Sequence, residues 1–327
     1  MTPADVAGVD VGGGGIRVQV HAAGRHRTSC DTTPVRRVNG SIDADALSDR
    51  IAALIRGACA GFSLPQFTTL AVGLTGMPGA FDSPGDLARR LRAVVPTRAV
   101  IVASDSLITH IGALGGSPGC VVAAGTGAIA LGTDHHTIWN QSDGWGFLLG
   151  DEGGGAWIGL RGITAALRAR DKRRGGSSAL LHEVEDVYGS AHDVLRTISG
   201  ATSPAATAAA FAPAVARAAH HGDRVAIGIW RAAGSHLADA AASAAEGLPM
   251  AFSWGGSLFR VGDLLLKPFR EELLRRIPDA VLLPPRGTAV DGALTLATDG
   301  LPGDRDRLGE RYARSFESAT HVSSTRS

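Results

Sequence analysis

Lysine is almost absent from this sequence of 327 residues, and its scarcity excludes one common way of binding nucleotides. The chain has only Lys172 and Lys267, and arginine supplies nearly all of the remaining positive charge. Neither lysine lies in a G-x-x-x-x-G-K-[ST] segment, the loop in which a lysine reaches the phosphates of a nucleotide. A nucleotide site built on that loop is therefore excluded.

Cysteine, a strong net charge and long apolar runs are lacking as well. Cys30, Cys59 and Cys120 are far apart and form no C-x-x-C pair, so neither a disulfide framework nor a cysteine zinc site is expected. The net charge is +1 without a basic stripe, which gives no support for a nucleic-acid or membrane-surface partner. No apolar run approaches the ~20 residues of a membrane span, and no signal peptide is recognised. We therefore expect a cytoplasmic, globular protein.

Glycine, in contrast, is abundant, and it marks two similar halves of the chain. There are 44 glycines, about twice the usual share. A predicted strand precedes and follows the glycine turn at residues 12–15, and the same holds for the turn at residues 125–127. The repeated pattern predicts two related α/β lobes, each placing one glycine turn at a central ligand cleft.

The rest of the chain alternates short apolar strands with amphipathic or alanine-rich helices. Strands are predicted over residues 6–9, 16–20, 69–74, 98–103, 120–124, 129–132, 250–254 and 280–283. Helices are predicted over residues 43–60, 87–94, 106–114, 158–170, 205–219, 224–245, 258–276 and 289–297. The glycine-rich residues 115–119 separate a predicted N-terminal lobe, residues 1–116, from a C-terminal lobe, residues 117–288. Residues 301–327 form a polar tail that we expect to be frayed.

The first glycine turn follows Asp10 and contains Gly12, Gly13 and Gly14. Glycine lets backbone N–H groups approach a phosphate closely, and Asp10 at the strand end can hold a hydrated magnesium ion. A flexible hairpin closed by an aspartate explains the same residues equally well. The dinucleotide fingerprint is excluded, because a strand follows where that motif requires a helix.

Asp105 stands between a predicted strand and a predicted helix. An aspartate at this point can accept the proton of a substrate hydroxyl, which is the task of the general base in phosphoryl transfer. Capping of the helix by Ser104 or Asp105 is the better explanation of this segment taken alone.

Two further turns carry weaker signals. Thr126, between Gly125 and Gly127, has a hydroxyl that can donate to a phosphate oxygen, although an ordinary hairpin has the same sequence. The turn formed by Gly255, Gly256 and Ser257 offers bare backbone to a planar adenine. A common strand–helix turn explains this second segment better when it is read alone.

The segment from residue 144 to residue 155 has the strongest ligand signal. Glycines lie on both sides of Asp151 and Glu152, and we do not expect packing to explain them. Carboxylates form strong hydrogen bonds with sugar hydroxyls. A glycine-rich loop with a helix cap is the less favoured alternative. The adjacent histidines at 135–136 and 220–221 are expected at the surface.

Taken together and in order, these motifs resemble the N-acetylglucosamine kinase family of BadF/BadG/BcrA/BcrD-type ATPases over residues 8–294. The most specific segment is Gly144-Trp145-Gly146 followed by residues 150–153. The resemblance implies two ribonuclease-H-like lobes of the actin/hexokinase type with a central nucleotide cleft. It also implies that helix 289–297 packs back on the N-terminal lobe, and that the protein is a homodimer.

The resemblance further implies a role for each motif. Asp105 corresponds to the catalytic base, and the sugar-binding residues correspond to Asn39, Asp105, Gly144, Trp145, Gly146 and Asp151. The ATP-binding residues correspond to Asp10, Gly12, Gly13, Gly14, Gly125, Thr126, Gly127, Gly222, Gly255, Gly256 and Ser257, with Asp10 also binding Mg²⁺ through water. Gly14 stands where the family has Thr or Ser, so one hydroxyl is missing.

The expected activity is ATP- and Mg²⁺-dependent phosphorylation of the 6-hydroxyl of a small amino sugar, N-acetylglucosamine. Three alternatives stay open: a glucosamine kinase, a sugar-binding regulatory protein with weak or no kinase activity, and an activating ATPase for a partner enzyme. The missing hydroxyl at Gly14 motivates the second alternative.

Overall fold

A computed structural model describes residues 4–38, 41–61, 63–76, 84–300 and 309–317. The chain forms two compact units: residues 1–108 with 290–327 make the first, and residues 109–289 make the second. The division falls inside a helix, between Ile108 and Thr109, rather than at the glycine-rich segment 115–119.

The described elements are as follows. The strands are β1 (Val6–Gly12), β2 (Gly15–Ala22), β3 (Arg25–Asp31), β4 (Arg37–Val38), β5 (Ser41–Ile42), β6 (Phe67–Leu74), β7 (Thr97–Ser104), β8 (Gly119–Ala124), β9 (Ala128–Thr133), β10 (Trp139–Asp143), β11 (Ala251–Gly255), β12 (Val281–Leu282) and β13 (Ala313–Glu317). The helices are α1 (Ala44–Ala58), α2 (Pro84–Val94), α3 (Asp105–Leu114), α4 (Gly155–Arg170), α5 (Ser178–Tyr188), α6 (Ala191–Ser199), α7 (Pro204–Ala209), α8 (Ala212–His220), α9 (Arg224–Ala244), α10 (Asp263–Arg276), α11 (Ala289–Asp299) and α12 (Gly309–Tyr312), with a 3₁₀ helix at Ser257–Val261.

The first unit is built on a six-stranded sheet with the order β13-β7-β6-β1-β2-β3. Strands β1, β6 and β7 are parallel, whereas β2, β3 and β13 run antiparallel to their neighbours. Helix α1 begins at Asp43, whose side chain accepts the N–H of Ala46 at 3.1 Å, and it buries Leu47, Ile51 and Ile55.

Helix α11 packs closely against the first sheet. A Cβ atom at Gly8 would lie 2.3 Å from the backbone nitrogen of Leu294, so the strand and the helix can approach only because residue 8 is glycine. Gln19 of β2 is buried although it is polar, and its side chain donates to Asp291 of α11 at 2.7 Å.

The second unit repeats the strand order of the first. Its five-stranded sheet has the order β10-β9-β8-β11-β12, in which β8, β11 and β12 are parallel and β9 and β10 are antiparallel. The sequence β3-β2-β1-β6-β7 in the first sheet has the same connectivity. The two related α/β lobes predicted from the repeated glycine turns therefore have matching sheets.

Two predicted helices are each divided in the structure. The helix expected over residues 205–219 is α7 followed by α8, because Pro213 stands in the first turn of α8 and starts a new helix there. The helix expected over residues 258–276 is the 3₁₀ helix followed by α10, with the break at Gly262, which has φ +72°.

The expectation of a frayed tail is wrong for residues 309–317, which form α12 and β13. Strand β13 pairs with β7 from Ala313 opposite Ala103 to Glu317 opposite Ala99, so the backbone groups of this polar segment are satisfied by the sheet edge. The expectation of a surface position is wrong for His135, which is buried at 3% exposure against the ring of His110.

The search for membrane-spanning segments covered the described part of the chain, and no helix there has the length and hydropathy to cross a bilayer.

Candidate active site

Three polar side chains meet at the carboxyl end of β1, β6 and β7. The strand register aligns Asp10 with Gly73 and Gly73 with Ala103. Asp10, near the end of β1, therefore lies at the same edge as Thr75 and Asp105, which directly follow β6 and β7. The carboxyl ends of parallel strands are where open α/β sheets bind their ligands. This edge is the candidate active site of the first unit.

Ser104, not Asp105, makes the side-chain cap on the third residue of α3. Its hydroxyl accepts the N–H of Leu107 at 3.1 Å and lies 2.9 Å from the hydroxyl of Ser106. The Asp105 carboxylate accepts hydrogen bonds from the Thr75 hydroxyl and from the N–H of Ser106. The capping explanation thus accounts for Ser104, whereas the Asp105 carboxylate lies at the strand end in hydrogen bonds with Thr75 and Ser106.

Burial, and after it the negative charge of Asp10, raises the pKa of Asp105 from its ordinary value of 3.8 to about 7. The hydrogen bonds from Thr75 and Ser106 act in the opposite direction. A carboxylate with a pKa near neutrality is an effective proton acceptor at that pH. Perturbation by burial and by a like charge is typical of functional sites.

Asp10 is 8% exposed, and Arg17 on β2 donates to its Oδ2 at 3.1 Å. Burial raises the pKa of Asp10, although the Arg17 charge and hydrogen bond oppose that change. The carboxylates of Asp10 and Asp105 are therefore close enough for the charge of Asp10 to raise the pKa of Asp105, and Arg17 forms an ion pair with Asp10.

The chemistry of this pair fits a divalent cation. A bound cation would offset the cost of burying the ionised Asp10 carboxylate and would reduce its repulsion of Asp105. No group of three or more His, Cys, Asp or Glu side chains is placed to share a metal ion in the described residues. A magnesium ion held here would keep water and substrate oxygens as its other ligands, as Mg²⁺ usually does.

The first hairpin has free space at its tip. Gly12 pairs with Gly15, and Gly13 and Gly14 form the two-residue turn. A Cβ atom at Gly12 or Gly14 would have no neighbour within 4 Å, and neither residue has a positive φ. Gly15 is different, because it has φ +127° and a Cβ there would lie 2.1 Å from the Asp31 carbonyl oxygen. Local packing therefore requires glycine at 15 but not at 12 or 14.

The second hairpin is held by the start of α4. The N–H groups of Gly155 and Ala156 each donate at 2.8 Å, to the carbonyl oxygens of Gly125 and Thr126 respectively. A Cβ atom at Gly127 would lie 2.2 Å from Oδ2 of Asp151. The hairpin at residues 125–127 and the loop at Asp151 are thus in direct contact.

The turn after β11 lies at the same edge of the second sheet. Gly256 has φ +92°, and a Cβ there would lie 2.1 Å from the carbonyl oxygen of Ala124. The hydroxyl of Ser257 lies 3.8 Å from where a Cβ of Gly125 would stand, and Gly255 pairs with Ala123. The second unit therefore brings together the predicted residues 125–127, 151 and 255–257.

Asp143 organises the loop that was predicted to bind sugar. Its carboxylate accepts the N–H groups of Gly144 and Asp151 at 2.7 Å and of Glu152 at 2.8 Å. Asp151 in turn accepts the N–H of Gly146 at 3.2 Å. Burial raises the pKa of Asp151, and so does the charge of Asp143, whereas the hydrogen bonds from the N–H groups of Gly146 and Ala128 lower it.

Packing and backbone conformation explain the glycines of this loop, so the expectation that they do not is wrong. At five of these glycines an added Cβ atom would clash with a neighbour. At Gly144 it would lie 2.7 Å from the Ile129 side chain, and at Gly150 it would lie 2.3 Å from Asp143 Oδ1. The corresponding distances are 2.5 Å to Ala233 O at Gly153, 2.7 Å to Gly127 C at Gly154 and 2.7 Å to Gly125 O at Gly155. Gly146 has φ +86°, which favours glycine without any close neighbour.

Apolar side chains project from the same loop. Trp145 is 73% exposed, and Leu148 and Leu149 are exposed as well. Beside them, a half-open cavity of about 320 Å³ is lined by Phe147, Leu148, Leu149, Gly150, Glu152, Trp157, Leu160, Arg161 and Thr164. The loop thus combines an ordered backbone with exposed apolar side chains.

Two predicted site residues are not brought into these groups. Gly222 has φ +87° and ends α8, where its N–H donates to Ala219 O and the N–H of Asp223 donates to Ala218 O, both at 3.0 Å. This helix-terminating geometry accounts for the glycine by itself. Asn39 lies outside the described residues.

Sequence reasoning missed Thr75 and Asp143. Thr75 follows the end of β6, which stands between the strands that lead to Asp10 and Asp105, and this position was the available signal. Asp143 has φ +61° and precedes Gly144, but nothing in its sequence context indicates which N–H groups its carboxylate accepts.

Two sheets with the same strand order and with polar residues at their carboxyl edges define an actin/hexokinase-like fold, which solved sugar-kinase structures share. Residues 7–294 match the BadF/BadG/BcrA/BcrD ATPase family, and the chain belongs to this family.

Individual relatives give the following similarities. An N-acetylmuramic acid/N-acetylglucosamine kinase from Clostridium acetobutylicum is 33% identical over 113 residues, which are 35% of this chain and 37% of that protein. The similarity to that curated relative thus spans little more than a third of its length.

A candidate N-acetylglucosamine kinase structure from Chromobacterium violaceum is 28% identical with a TM-score of 0.65, covering 91% of this chain and 100% of that one. A ROK family glucokinase from Streptomyces griseus, in complex with glucose and AMPPNP, shares the fold at 20% identity and a TM-score of 0.57 over 90% of this chain and 98% of that one.

Proposed function

We propose that this protein is an ATP-dependent sugar kinase that phosphorylates the 6-hydroxyl of N-acetylglucosamine. One observation carries the proposal. Asp105 lies at the carboxyl edge of three parallel strands, and its pKa is raised to about 7. The family and the sugar-kinase relatives support ATP as the phosphoryl donor and a sugar as the acceptor.

Asp105 acts as the general base in this proposal. Its ionised carboxylate accepts the proton of the 6-hydroxyl as that oxygen attacks the terminal phosphorus of ATP. Thr75 donates to the same carboxylate and keeps it oriented. The raised pKa of Asp105 lets the group exchange protons near neutral pH, because neither protonation state is strongly preferred.

Asp10 is the residue that would hold Mg²⁺, through water and together with the phosphates of ATP. The ion, when bound, would neutralise charge on the transferred phosphoryl group. The hairpin at Gly12, Gly13 and Gly14 and the hairpin at Gly125, Thr126 and Gly127 would supply N–H and hydroxyl donors for phosphate oxygens. The space beside Gly12 and Gly14 supports this assignment. Gly255, Gly256 and Ser257 are assigned to the nucleotide, and so is Gly222.

The sugar is assigned to Gly144, Trp145, Gly146 and Asp151, and to Asn39. The exposed indole of Trp145 and the ordered backbone held by Asp143 support this assignment. Asp151 already accepts the backbone N–H groups of Gly146 and Ala128, so its remaining acceptor capacity is what a sugar hydroxyl would use.

A coupled assay of ADP release tests the proposal. The purified protein is incubated with MgATP and, separately, with N-acetylglucosamine, glucosamine and glucose. We expect N-acetylglucosamine to give the highest kcat/KM, and Asp105→Asn to lower kcat by ~100-fold or more. The matched control is Asp49→Asn, which removes an exposed carboxylate from α1 of the same unit.

Other outcomes of that assay contradict the proposal in distinct ways. Preference for glucosamine would identify a glucosamine kinase instead. Sugar binding without ADP release would indicate a regulatory protein, the alternative that Gly14 favours because a phosphate-binding hydroxyl is missing. ADP release that ignores every sugar would indicate an activating ATPase with a partner enzyme.

A further inference from the structure

Arg17 brings a positive charge to the first sheet beside Asp10. It stands on β2 directly opposite Asp10 of β1, and its Nη1 donates to Oδ2 of Asp10 at 3.1 Å. Residues that lie directly opposite each other in an antiparallel pair project from the same face of the sheet. The guanidinium therefore shares the face of Asp10, close to the carboxyl edge at which β7 leads into Asp105.

The guanidinium has further donors for a ligand. Within the described part of the chain, its hydrogen bond to Asp10 is the one that it makes, whereas a guanidinium carries five N–H donors in a fixed plane. The Arg17 side chain is 46% exposed, but that of Asp10 is only 12% exposed. The ion pair is thus closed on its carboxylate side and open to an approaching ligand on its arginine side.

The hairpin between Asp10 and Arg17 has no polar side chain. Residues 11–16 are a valine, four glycines and an isoleucine. The tip is open, because a Cβ atom at Gly12 or Gly14 would have no neighbour within 4 Å. Residues 11–16 can therefore offer only backbone N–H groups to a phosphate, and Arg17 is the first residue after the tip with a side-chain donor.

Arg17 is close enough to reach that tip. It follows Gly15 by two residues, which is roughly 7 Å along a strand, a length that an extended arginine side chain spans. Gly12 pairs with Gly15, and both share the face of Asp10 and Arg17 because alternate residues of a strand lie on one face. The space beside Gly12 is thus on the side of the sheet from which the guanidinium projects.

No lysine competes for this role in the first unit. Lys172 and Lys267, the two lysines of the chain, both belong to the second unit. An arginine also fits a phosphate well, because two of its N–H groups match two phosphate oxygens. The Asp10 carboxylate already holds one N–H of the Arg17 fork, and this contact fixes the direction of the others.

We propose that Arg17 binds the terminal phosphoryl group of ATP while Asp10 holds its guanidinium in place. The terminal group is the one expected here, because Asp105 acts on its acceptor at the same edge of the sheet in the proposed function, on which this proposal rests. The charge-assisted hydrogen bonds of Arg17 take the place of the hydroxyl that is missing at Gly14. Arg17 thereby makes the site prefer a nucleoside triphosphate to a diphosphate.

Calorimetric titration with AMPPNP and with ADP tests this role without turnover. We expect Arg17→Gln to weaken AMPPNP binding by ~10- to 100-fold and to leave ADP binding nearly unchanged. Arg17→Lys keeps the charge without the planar fork and is expected to recover part of the loss. The matched control is Arg25→Gln, which removes an exposed arginine at the opposite end of the β2–β3 pair and should change neither affinity.

A purely structural role for Arg17 would give a different pattern. If Arg17 only compensates the charge of Asp10, Arg17→Gln would lower the unfolding temperature and weaken AMPPNP and ADP equally, which contradicts the proposal. Tighter binding of AMPPNP would contradict it as well, because Arg17 would then compete with a cation for Asp10.

A second comparison applies if Arg17→Gln does not fold because it leaves Asp10 unpaired. Asp10→Asn removes the carboxylate charge, so Asp10→Asn/Arg17→Gln has no unpaired buried charge. Without Mg²⁺, this double variant is expected to bind AMPPNP ~10-fold more weakly than Asp10→Asn alone. Equal affinities of the two variants would overturn the proposal.

The same titrations distinguish this proposal from the proposed function. An unaltered protein that binds AMPPNP but phosphorylates no sugar would refute the kinase function, and the Arg17 variants would still decide the role of Arg17. An unaltered protein that binds neither nucleotide would refute both.

Discussion

At the scale of single residues, Asp105 is the place where stability and function conflict. The carboxylate must be ionised to accept a proton, yet burial and the charge of Asp10 disfavour ionisation and raise its pKa to about 7. Ser104 makes the cap that an aspartate could otherwise have provided. Asp105 lowers stability at neutral pH and does not make the side-chain cap of α3, and its proposed role as the general base is the better explanation for a carboxylate at this position.

This conflict predicts how Asp105→Asn changes stability with pH. Because the folded-state pKa is raised above the value of 3.8, the contribution of Asp105 to stability is fully present below pH 3.8 and is lost as pH rises through about 7. Asp105→Asn is therefore expected to be more stable than the unaltered protein at pH 8, and this advantage should shrink below pH 5. Urea unfolding at both pH values measures it, with Asp49→Asn as the control.

Gly14 offers a gain-of-function test. Its missing side chain leaves open space, and φ is not positive, so Gly14→Ser can place a hydroxyl at the hairpin tip without strain. One added charge-assisted hydrogen bond to a phosphate is expected to lower KM for ATP by up to ~10-fold. Gly14→Ala is the matched control, since it adds the same Cβ atom without the hydroxyl. Equal KM values in the two variants would show that this position does not face a phosphate.

The buried histidines predict a second pH dependence. Burial lowers the pKa of His110 to about 3 and that of His135 to about 4, although the negative charge of Asp134 opposes the change at His135. Both rings are neutral when folded, so their contribution is fully present above pH 6.5 and is lost as pH falls toward 3. Each contributes a slope of up to about 1.4 kcal/mol per pH unit in that window. Unfolding free energies of His110→Asn should vary less with pH, whereas His221→Ala, at an exposed histidine of the same unit, should keep the pH dependence of the unaltered protein.

Residue types at strand ends drew attention to Asp10 and Asp105, but a hairpin explained Asp10 equally well and a helix cap explained Asp105 better, so their proposed roles came from the order of all the motifs together. Thr75 and Asp143 were missed, because their importance lies in which neighbours the fold brings to them. The glycines around Asp151 were recognised but explained incorrectly, since close packing against Gly127 and Ala233 cannot be seen in a linear pattern.

At the scale of elements, the second hairpin and the 143–155 loop behave as one packed assembly. Gly127→Ala would place a Cβ 2.2 Å from the Asp151 carboxylate, which must then leave the N–H of Gly146. We expect a loss of about 1–3 kcal/mol in unfolding free energy and a higher KM for the sugar. Gly228→Ala on an exposed face of α9 has no neighbour within 4 Å, and this control should gain about 0.5–1 kcal/mol. Similar effects of the two substitutions on KM would refute the link between hairpin and sugar.

Most elements with an apolar period were predicted, but helices α5 and α6 were missed, although α5 buries Leu180 and Val184 on one face and α6 buries Val194. Helix α1 was recognised from the spacing of Leu47, Ile51 and Ile55, which are all buried. Strand β3 escaped, because it is a polar, largely exposed strand whose structure depends on pairing with β2. Strand β13 escaped for the same reason, since the edge of β7 imposes its conformation.

At the scale of the whole molecule, the most informative feature of the sequence was the repeated pattern of a strand, a glycine turn and a second strand. Two glycine turns, each between two strands, predicted the paired sheets, and the family match over residues 7–294 covers both. Strand β13, beyond that match, could not be predicted, because its conformation depends on contacts with β7 and α2 rather than on its own composition. The repeated framework is thus encoded locally, and the added strand depends on tertiary contacts.

The pH dependence of kcat/KM for N-acetylglucosamine tests the central claim most directly. Since the free enzyme must carry an ionised Asp105, the account predicts that kcat/KM is half-maximal near pH 7 on its acid side and rises to a plateau above it. A value of kcat/KM that stays constant from pH 5 to 8 would contradict the assignment of Asp105 as the base.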